Sequence, residues 1–509
     1  MWKFVLGAFS ASSIMGLVVL LNPLAPVTAL FSNQSVAQEP TPPPTTLVHL
    51  FEWTWADVAA ECETYLGPNG YEAVQISPPQ EHIVLPDYGY PWWQRYQPVS
   101  YQLESRSGSR ADLQAMIDRC RVAGVAIYAD AVINHMAGFE AGIGSADTEF
   151  TKYEYPDLYG PEDFNDCGQQ VTDYGDAENV TQCELVGLAD LDTSSKHVQT
   201  TLVDYMGELV DMGVAGFRID AAKHIRSTEL GEILTQLRDR YPDTDIYIYQ
   251  EVIDPGTEAI RKQDYYDSGN VLDFKYGRFI GEAFLGLEGQ TLANLETLGE
   301  GWGLAPSAQS VIFVDNHDKQ RGHGGGGDYL TYKSGDLYAL ANVFMLGFPY
   351  GKAQVMSSYA FDDSEQGPPA NADGSTRPVY HNGEAACFGE WVCEHRWPAI
   401  SGMVGFRNAT QAVAQVTDWW SNQANQIAFG RGDRGFVVIN REAEPLSRQF
   451  QTQLPQGRYC NVVQGALVAD GTACANDAQV VLVNQAGQFT ATLPEMSALA
   501  IHAEAKLSR

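Results

Sequence analysis

The sequence predicts an α/β protein: a (β/α)8 TIM barrel with an inserted irregular domain after the third strand and a C-terminal antiparallel β-sandwich domain. Three observations lead there. Eight short apolar runs recur with helical stretches between them. Three of those runs end in a carboxylate. Beyond about residue 413 the texture changes to alternating segments separated by Gly, Pro and Asn.

The eight runs are Leu47–Trp53, Tyr71–Ile76, Val125–Ile133, Val214–Ile219, Ile246–Glu251, Val271–Phe274, Ser310–Val314 and Val343–Phe348. Continuous apolar runs of this length fit strands buried on both faces, as in a parallel sheet. The fourth, fifth and seventh deliver Asp220, Glu251 and Asp318. Buried carboxylates are costly unless paired or put to use, and the C-terminal ends of barrel strands are where barrel enzymes carry their chemistry. One convergent acidic site is expected, and with it an enzyme. Structural ion pairs at strand ends are the competing explanation.

Between the third and fourth runs, residues 134–191 are rich in Asp, Gly and Tyr and lack helical periodicity. A stretch that long and irregular is read as a functional insertion. The expected layout is a catalytic barrel over 47–133 and 192–413, the insertion over 134–191, and the β-sandwich over 414–509. Gln426–Phe429, Gly435–Asn440 and Gln479–Val483 supply the alternating strands of the last unit.

Residues 1–37 read as a signal peptide: Lys3, an apolar stretch from Ile14 to Leu21, and the small-residue ending Ser35-Val36-Ala37. Asn22 and Pro23 interrupt the apolar run below the roughly 20 residues a membrane span needs. Residues 38–46, with four prolines, read as an extended spacer. The mature protein is expected to be secreted, free of the membrane and monomeric.

All eight cysteines follow this leader, and an even number in an exported chain argues for disulfides. Cys167/Cys183, Cys387/Cys393 and Cys460/Cys474 are near neighbours, which leaves Cys62 with Cys120. The balance of 31 basic against 64 acidic residues, a net charge of −33, disfavours nucleic acid or an anionic surface as partner. A neutral substrate suits it better.

At these residues the sequence resembles the α-amylases of glycoside hydrolase family 13, in their animal-type, chloride-dependent branch. The matching motifs are Asp130–His135, Gly216–His224, Glu251-Val252-Ile253, Phe313–Asp318, Pro91–Pro98, Gln320–Gly324 and Trp391–Trp397. The resemblance implies an endo-acting, retaining hydrolase of the α-1,4 links in starch, glycogen and maltooligosaccharides. Asp220 would be the nucleophile, Glu251 the acid/base and Asp318 the stabiliser of the distorted sugar. Arg218, two residues before Asp220 on the same strand face, is expected to keep Asp220 ionised.

Sugar contacts are implied for Trp92, Trp93, Tyr96, Gln97, His135, Arg218, Lys223, His224, Ile253, His317 and His323. Two adjacent tryptophans cannot both point inward, which supports a stacking platform at Trp92 and Trp93. The Gly322–Gly327 run reads as a mobile flap beside Asp318. Calcium, a hard cation taking oxygen ligands, is implied between barrel and insertion, with side-chain oxygens from Asn134 and Asp190 and carbonyls from Thr181 and His224.

One departure stands out. The branch holds chloride with an Arg and an Asn, matched here by Arg218 and Asn316, and usually with a second Arg, where this chain has Gln354. An amide lacks the cationic fork that grips an anion, so the chloride site is in doubt. Lys352, two residues away, is the candidate substitute. A catalytically dead carbohydrate-binding relative would have lost at least one acid, and all three are present. A relative with an altered product pattern is the nearer alternative.

Overall fold

The computed structural model describes residues 45–508, apart from 325, 326 and 328. The expected signal peptide and most of the spacer lie outside these residues. Eight parallel strands form a closed barrel: β1 (Thr46–Leu50), β2 (Ala73–Ile76), β3 (Ala126–Ala131), β4 (Gly216–Ile219), β5 (Tyr247–Gln250), β6 (Asn270–Leu272), β7 (Ser310–Ile312) and β8 (Lys352–Ser357). Each pairs with its sequence neighbours, and β8 returns to β1 in the register Thr46↔Ala353. β1 thus starts one residue inside the expected spacer.

The eighth strand corrects the sequence reading. Val343–Phe348 is the end of helix α6 (Asp336–Gly347) and the residue after it, and the closing strand is the less apolar Lys352–Ser357. Leu340, Ala341, Asn342, Val343, Phe344, Met345 and Leu346 are all buried, because α6 is covered on every side. A helix apolar all round loses the 3.6-residue alternation that separates it from a strand.

The other barrel helices are α1 (Trp55–Glu61), α2 (Arg110–Val122), α3 (Lys196–Met212), α4 (Ser227–Arg240) and α5 (Phe274–Leu285), with α7 (Pro398–Thr410) after β8. Thr54 caps α1 by accepting from the Asp57 N–H, and Ser109 and Asp112 form a capping box on α2. The Cys62–Cys120 disulfide joins the segment after α1 to α2; Cys167–Cys183, Cys387–Cys393 and Cys460–Cys474 also pair.

The insertion leaves after β3 and returns before α3 through an antiparallel pairing of His135–Met136 with Ala189–Asp190. It contains a short helix, Ala177–Gln182. Its base is fixed by Glu81, which accepts from the Ala146 and Thr148 N–H groups and from Ser100 Oγ.

The C-terminal strands β9 (Thr417–Ser421), β10 (Gln426–Arg431), β11 (Gly435–Asn440) and β16 (Ser497–His502) form one antiparallel sheet. β12 (Leu446–Gln451) pairs with β15 (Gln488–Leu493), and β13 (Gly457–Cys460) with β14 (Val480–Val483). Alternation along β10, β11 and β16 sends Ala428, Phe436, Val438, Leu499 and Ile501 into the sandwich core. Ile427, Phe429, Val437, Ile439 and Ala500 belong to the main core instead, and Phe429 meets Phe344 and Phe348 of the barrel. Both faces of the central sheet are therefore buried. Arg431 seals this junction by donating to the Gly347 carbonyl at the end of α6 and to the Thr410 carbonyl at the end of α7.

Candidate active site

Backbone register sets the acids. The Asp220 N–H donates to the Ala131 carbonyl and the Glu251 N–H to the Ile219 carbonyl, each at 3.0 Å, so the ladders of β3, β4 and β5 run one residue past their strands and stop at the acids. The chain then turns sharply: Ala221 adopts φ +48°, an uncommon conformation for a residue with a Cβ. Such local strain persists only where its surroundings enforce it. Here the Ala221 N–H donates to Glu251 Oε2 at 3.0 Å, tying the two acid-bearing loops together. Asp318 lies in the first turn of a short helix, His317–Arg321, capped by the Asn316 side chain, which accepts from the Lys319 N–H.

Arg218, almost fully buried, is the hub of the site. Its Nη1 lies 2.6 Å from Asp130 Oδ1 and 2.9 Å from Asp220 Oδ1, and its Nη2 lies 3.0 Å from Glu251 Oε2. One cation thus faces three carboxylates. Burial pushes Asp220 well above the usual carboxylate range; Arg218 pulls it down, and Glu251, Asp130 and Asp318 add to the rise. The expectation that Arg218 simply fixes Asp220 as an anion is thus incomplete, because the guanidinium is shared. Asp130 is pushed up to about 6 by burial, again against Arg218. Groups this close exchange protons as a set.

Asp130 is a residue whose role sequence reasoning missed, although it too ends an apolar run. Besides Arg218 it accepts from Tyr96 Oη at 3.0 Å and from Gln75 Nε2 at 3.3 Å. It anchors the Pro91–Pro98 loop to the site floor.

Above the acids lies a cleft of about 620 Å³ lined by Trp92, Trp93, Tyr96, Gln97, His135, Lys223, His224, Ile253, His317 and His323, with Asp220, Glu251 and Asp318 at its floor. Of the sugar-contact candidates only Arg218 does not line it; it sits beneath. His317 stacks on Tyr96 at 5.2 Å and on Phe51 at 5.0 Å, and burial keeps its imidazole well below the ordinary histidine range, so it is neutral. His135 Nε2 lies 2.9 Å from the Tyr96 carbonyl. Lys223 is bound to the Ile253 carbonyl and to Glu258. Tyr174, Leu185, Val186 and Leu188 of the insertion, with Glu258 and Glu365, complete the rim. No motif announced them, because they arrive from irregular loops.

Asn134 and Asp190 meet in the interior, Nδ2 to Oδ1 3.4 Å, and Asn165 donates to Asp190 at 2.8 Å. Burial pushes Asp190 up to about 8, and only amides face its oxygens through hydrogen bonds. A buried carboxylate hydrogen-bonded by two side-chain amides rather than by a cationic side chain is a donor set that fits a hard cation. His224 Nδ1 reaches the Val180 carbonyl at 3.0 Å, which brings the expected Thr181 and His224 segments together.

The anion set behaves differently. Gln354 Nε2 donates to Gln75 Oε1 at 2.5 Å, so this amide is already engaged. Lys352 corrects the suggestion that it replaces the missing arginine: it pairs with Glu72 at 2.6 Å and lies over the Tyr247 ring. The residues present do not fit a second cationic arm.

A barrel whose strand ends gather three acids under an aromatic cleft defines a glycoside hydrolase. Residues 64–263 match the α-amylase catalytic domain and residues 419–504 the α-amylase C-terminal all-beta domain. The chain is 43% identical to pancreatic alpha-amylase 2a5 of Mus musculus, covering 91% of this chain and 95% of the relative, and 45% identical to an alpha-amylase of Tribolium castaneum, covering 91% and 94%. It also superimposes on a glutamate-to-glutamine mutant of α-amylase I from Eisenia fetida, solved with maltohexaose, with a TM-score of 0.84, 40% identity and coverage of 90% and 97%. The chain belongs to the α-amylase family.

Proposed function

We propose that this protein is a secreted, retaining, endo-acting α-amylase that hydrolyses internal α-1,4-glucosidic bonds of starch, glycogen and maltooligosaccharides and depends structurally on calcium. The observation that carries the chemistry is the sharing of one guanidinium by Asp220 and Glu251. Both carboxylates contact the same side chain, which supports the short separation that a retaining enzyme uses. Asp220 attacks the anomeric carbon and Glu251 protonates the leaving oxygen. Asp318, beside the neutral His317, binds hydroxyls of the distorting ring. Water then hydrolyses the glycosyl-enzyme with Glu251 acting as base.

The aromatic lining supports a glucan, and about 620 Å³ is more than one glucosyl unit fills, which favours binding along a chain. Asn134, Asp190 and the Thr181 and His224 carbonyls would hold the calcium, which when bound ties the insertion to the barrel. Gln354 leaves no reason for a chloride requirement.

The test is digestion of amylose, with early products followed by chromatography and their anomeric form by NMR. Mixed oligosaccharides released first in the α form are expected. Maltose alone from the outset, or β products, would overturn the endo or the retaining assignment.

A further inference from the structure

We propose that Tyr88 and Phe139 extend the cleft beyond Trp93 as an additional binding position for a distal glucosyl unit of a long α-glucan, and so set a preference for chain length. This rests on the α-glucan reading above. Tyr88 is 62% exposed. Its ring meets Trp93 edge-on at 6.1 Å and Phe139 edge-on at 5.7 Å, while Trp93 and Phe139 lie near-parallel, 13° apart, at 6.4 Å. Trp93 also lines the catalytic cleft, so the three rings form a surface continuous with it.

Two loop segments converge to build this wall, and each is fixed by hydrogen bonds. Tyr88 ends the short helix Pro86–Tyr88, and the Leu85 and Tyr90 N–H groups flanking it donate to Gln94 Oε1 and to the Leu85 carbonyl. Phe139 follows Gly138, whose N–H donates to Gln97 Oε1, and Ala137, whose N–H donates to the Pro98 carbonyl. The backbone that carries the rings is therefore held before anything binds, which spares part of the ordering cost that a loose loop would impose. Aromatic faces with a wet edge suit the apolar faces and hydroxyl rims of glucosyl units.

The test compares kcat/KM on amylose with kcat/KM on maltotetraose for the full chain and for Tyr88→Leu, Phe139→Leu and Tyr88→Phe. The leucines keep apolar bulk against Trp93 but remove the ring. The ratio of the two values is expected to fall roughly three- to tenfold in each leucine variant, the size of one lost aromatic contact, and to be restored in Tyr88→Phe. Leucine variants with the wild-type ratio would overturn the proposal. Should one of them fail to fold, the other and Tyr88→Ser carry the same comparison. A wild-type protein inactive on both substrates would instead overturn the α-glucan reading.

Discussion

Gln354 donates its side-chain amide to Gln75 Oε1, and Gln75 in turn accepts from Tyr249 Oη and donates to Asp130. The barrel interior beneath the acids is thus closed by a neutral relay where the resembled branch usually places a cation. Chloride near a general acid disfavours its ionisation, and a second arginine would do the opposite. Without the second arginine, no chloride requirement is expected. Activity in chloride-free buffer is expected to be nearly full, and Gln354→Arg to create chloride activation. The measurement is kcat against pH with and without chloride. An alkaline limb in the wild type that moves upward by about one unit on adding chloride, about 1.4 kcal/mol, would refute this.

Glu251→Gln removes the proton donor and Asp220→Asn the nucleophile, while both amides can still face Arg218. Each is expected to lower kcat by at least the roughly 10²–10⁴-fold typical of losing acid–base catalysis. Binding of a maltooligosaccharide, read by calorimetry, should survive in Glu251→Gln. A variant that keeps about a tenth of wild-type kcat would remove that residue from its role.

Chelation is expected to lower the melting temperature and activity together, because Asn134 and Asp190 lie where the insertion meets β3. A ligand bound only by the folded state stabilises it by about 2.7 kcal/mol at a hundredfold excess over Kd. Asp190→Asn should blunt the response to added calcium. An unchanged melting curve after verified metal depletion would count against the site.

Glu394, fully buried, is pushed up to about 7 by burial, with Ser358 and Gln320 donating to it. A carboxyl raised in the folded state contributes stability that is complete below its unfolded value, near 4.5, and is lost as pH rises towards 7. The wild type should therefore lose more stability between pH 5 and 7 than Glu394→Gln, by a few kcal/mol at most. Parallel melting temperatures across that range would contradict it.

The catalytic strands were legible because each apolar run stops at a charged residue, a pattern that burial enforces. β8 was not, because Lys352, Gln354 and Ser357 hide it: Lys352 pairs with Glu72 and Gln354 with Gln75 inside the barrel, contacts that local sequence cannot show. The cleft floor followed from motifs on strands. Its rim did not, since Tyr174, Val186 and Glu258 reach it through loops whose course depends on tertiary packing, such as the Ala259 N–H bond to the Tyr174 carbonyl.

Barrel closure by β1 and β8 carries a consequence for biosynthesis. Synthesis runs from the N-terminus, yet Thr46 cannot find Ala353 until the last barrel strand has left the ribosome. Asp220 and Glu251 are made long before that, on strands whose ring is still open. The nascent chain is accordingly expected to be silent as a catalyst until its last barrel strand is made.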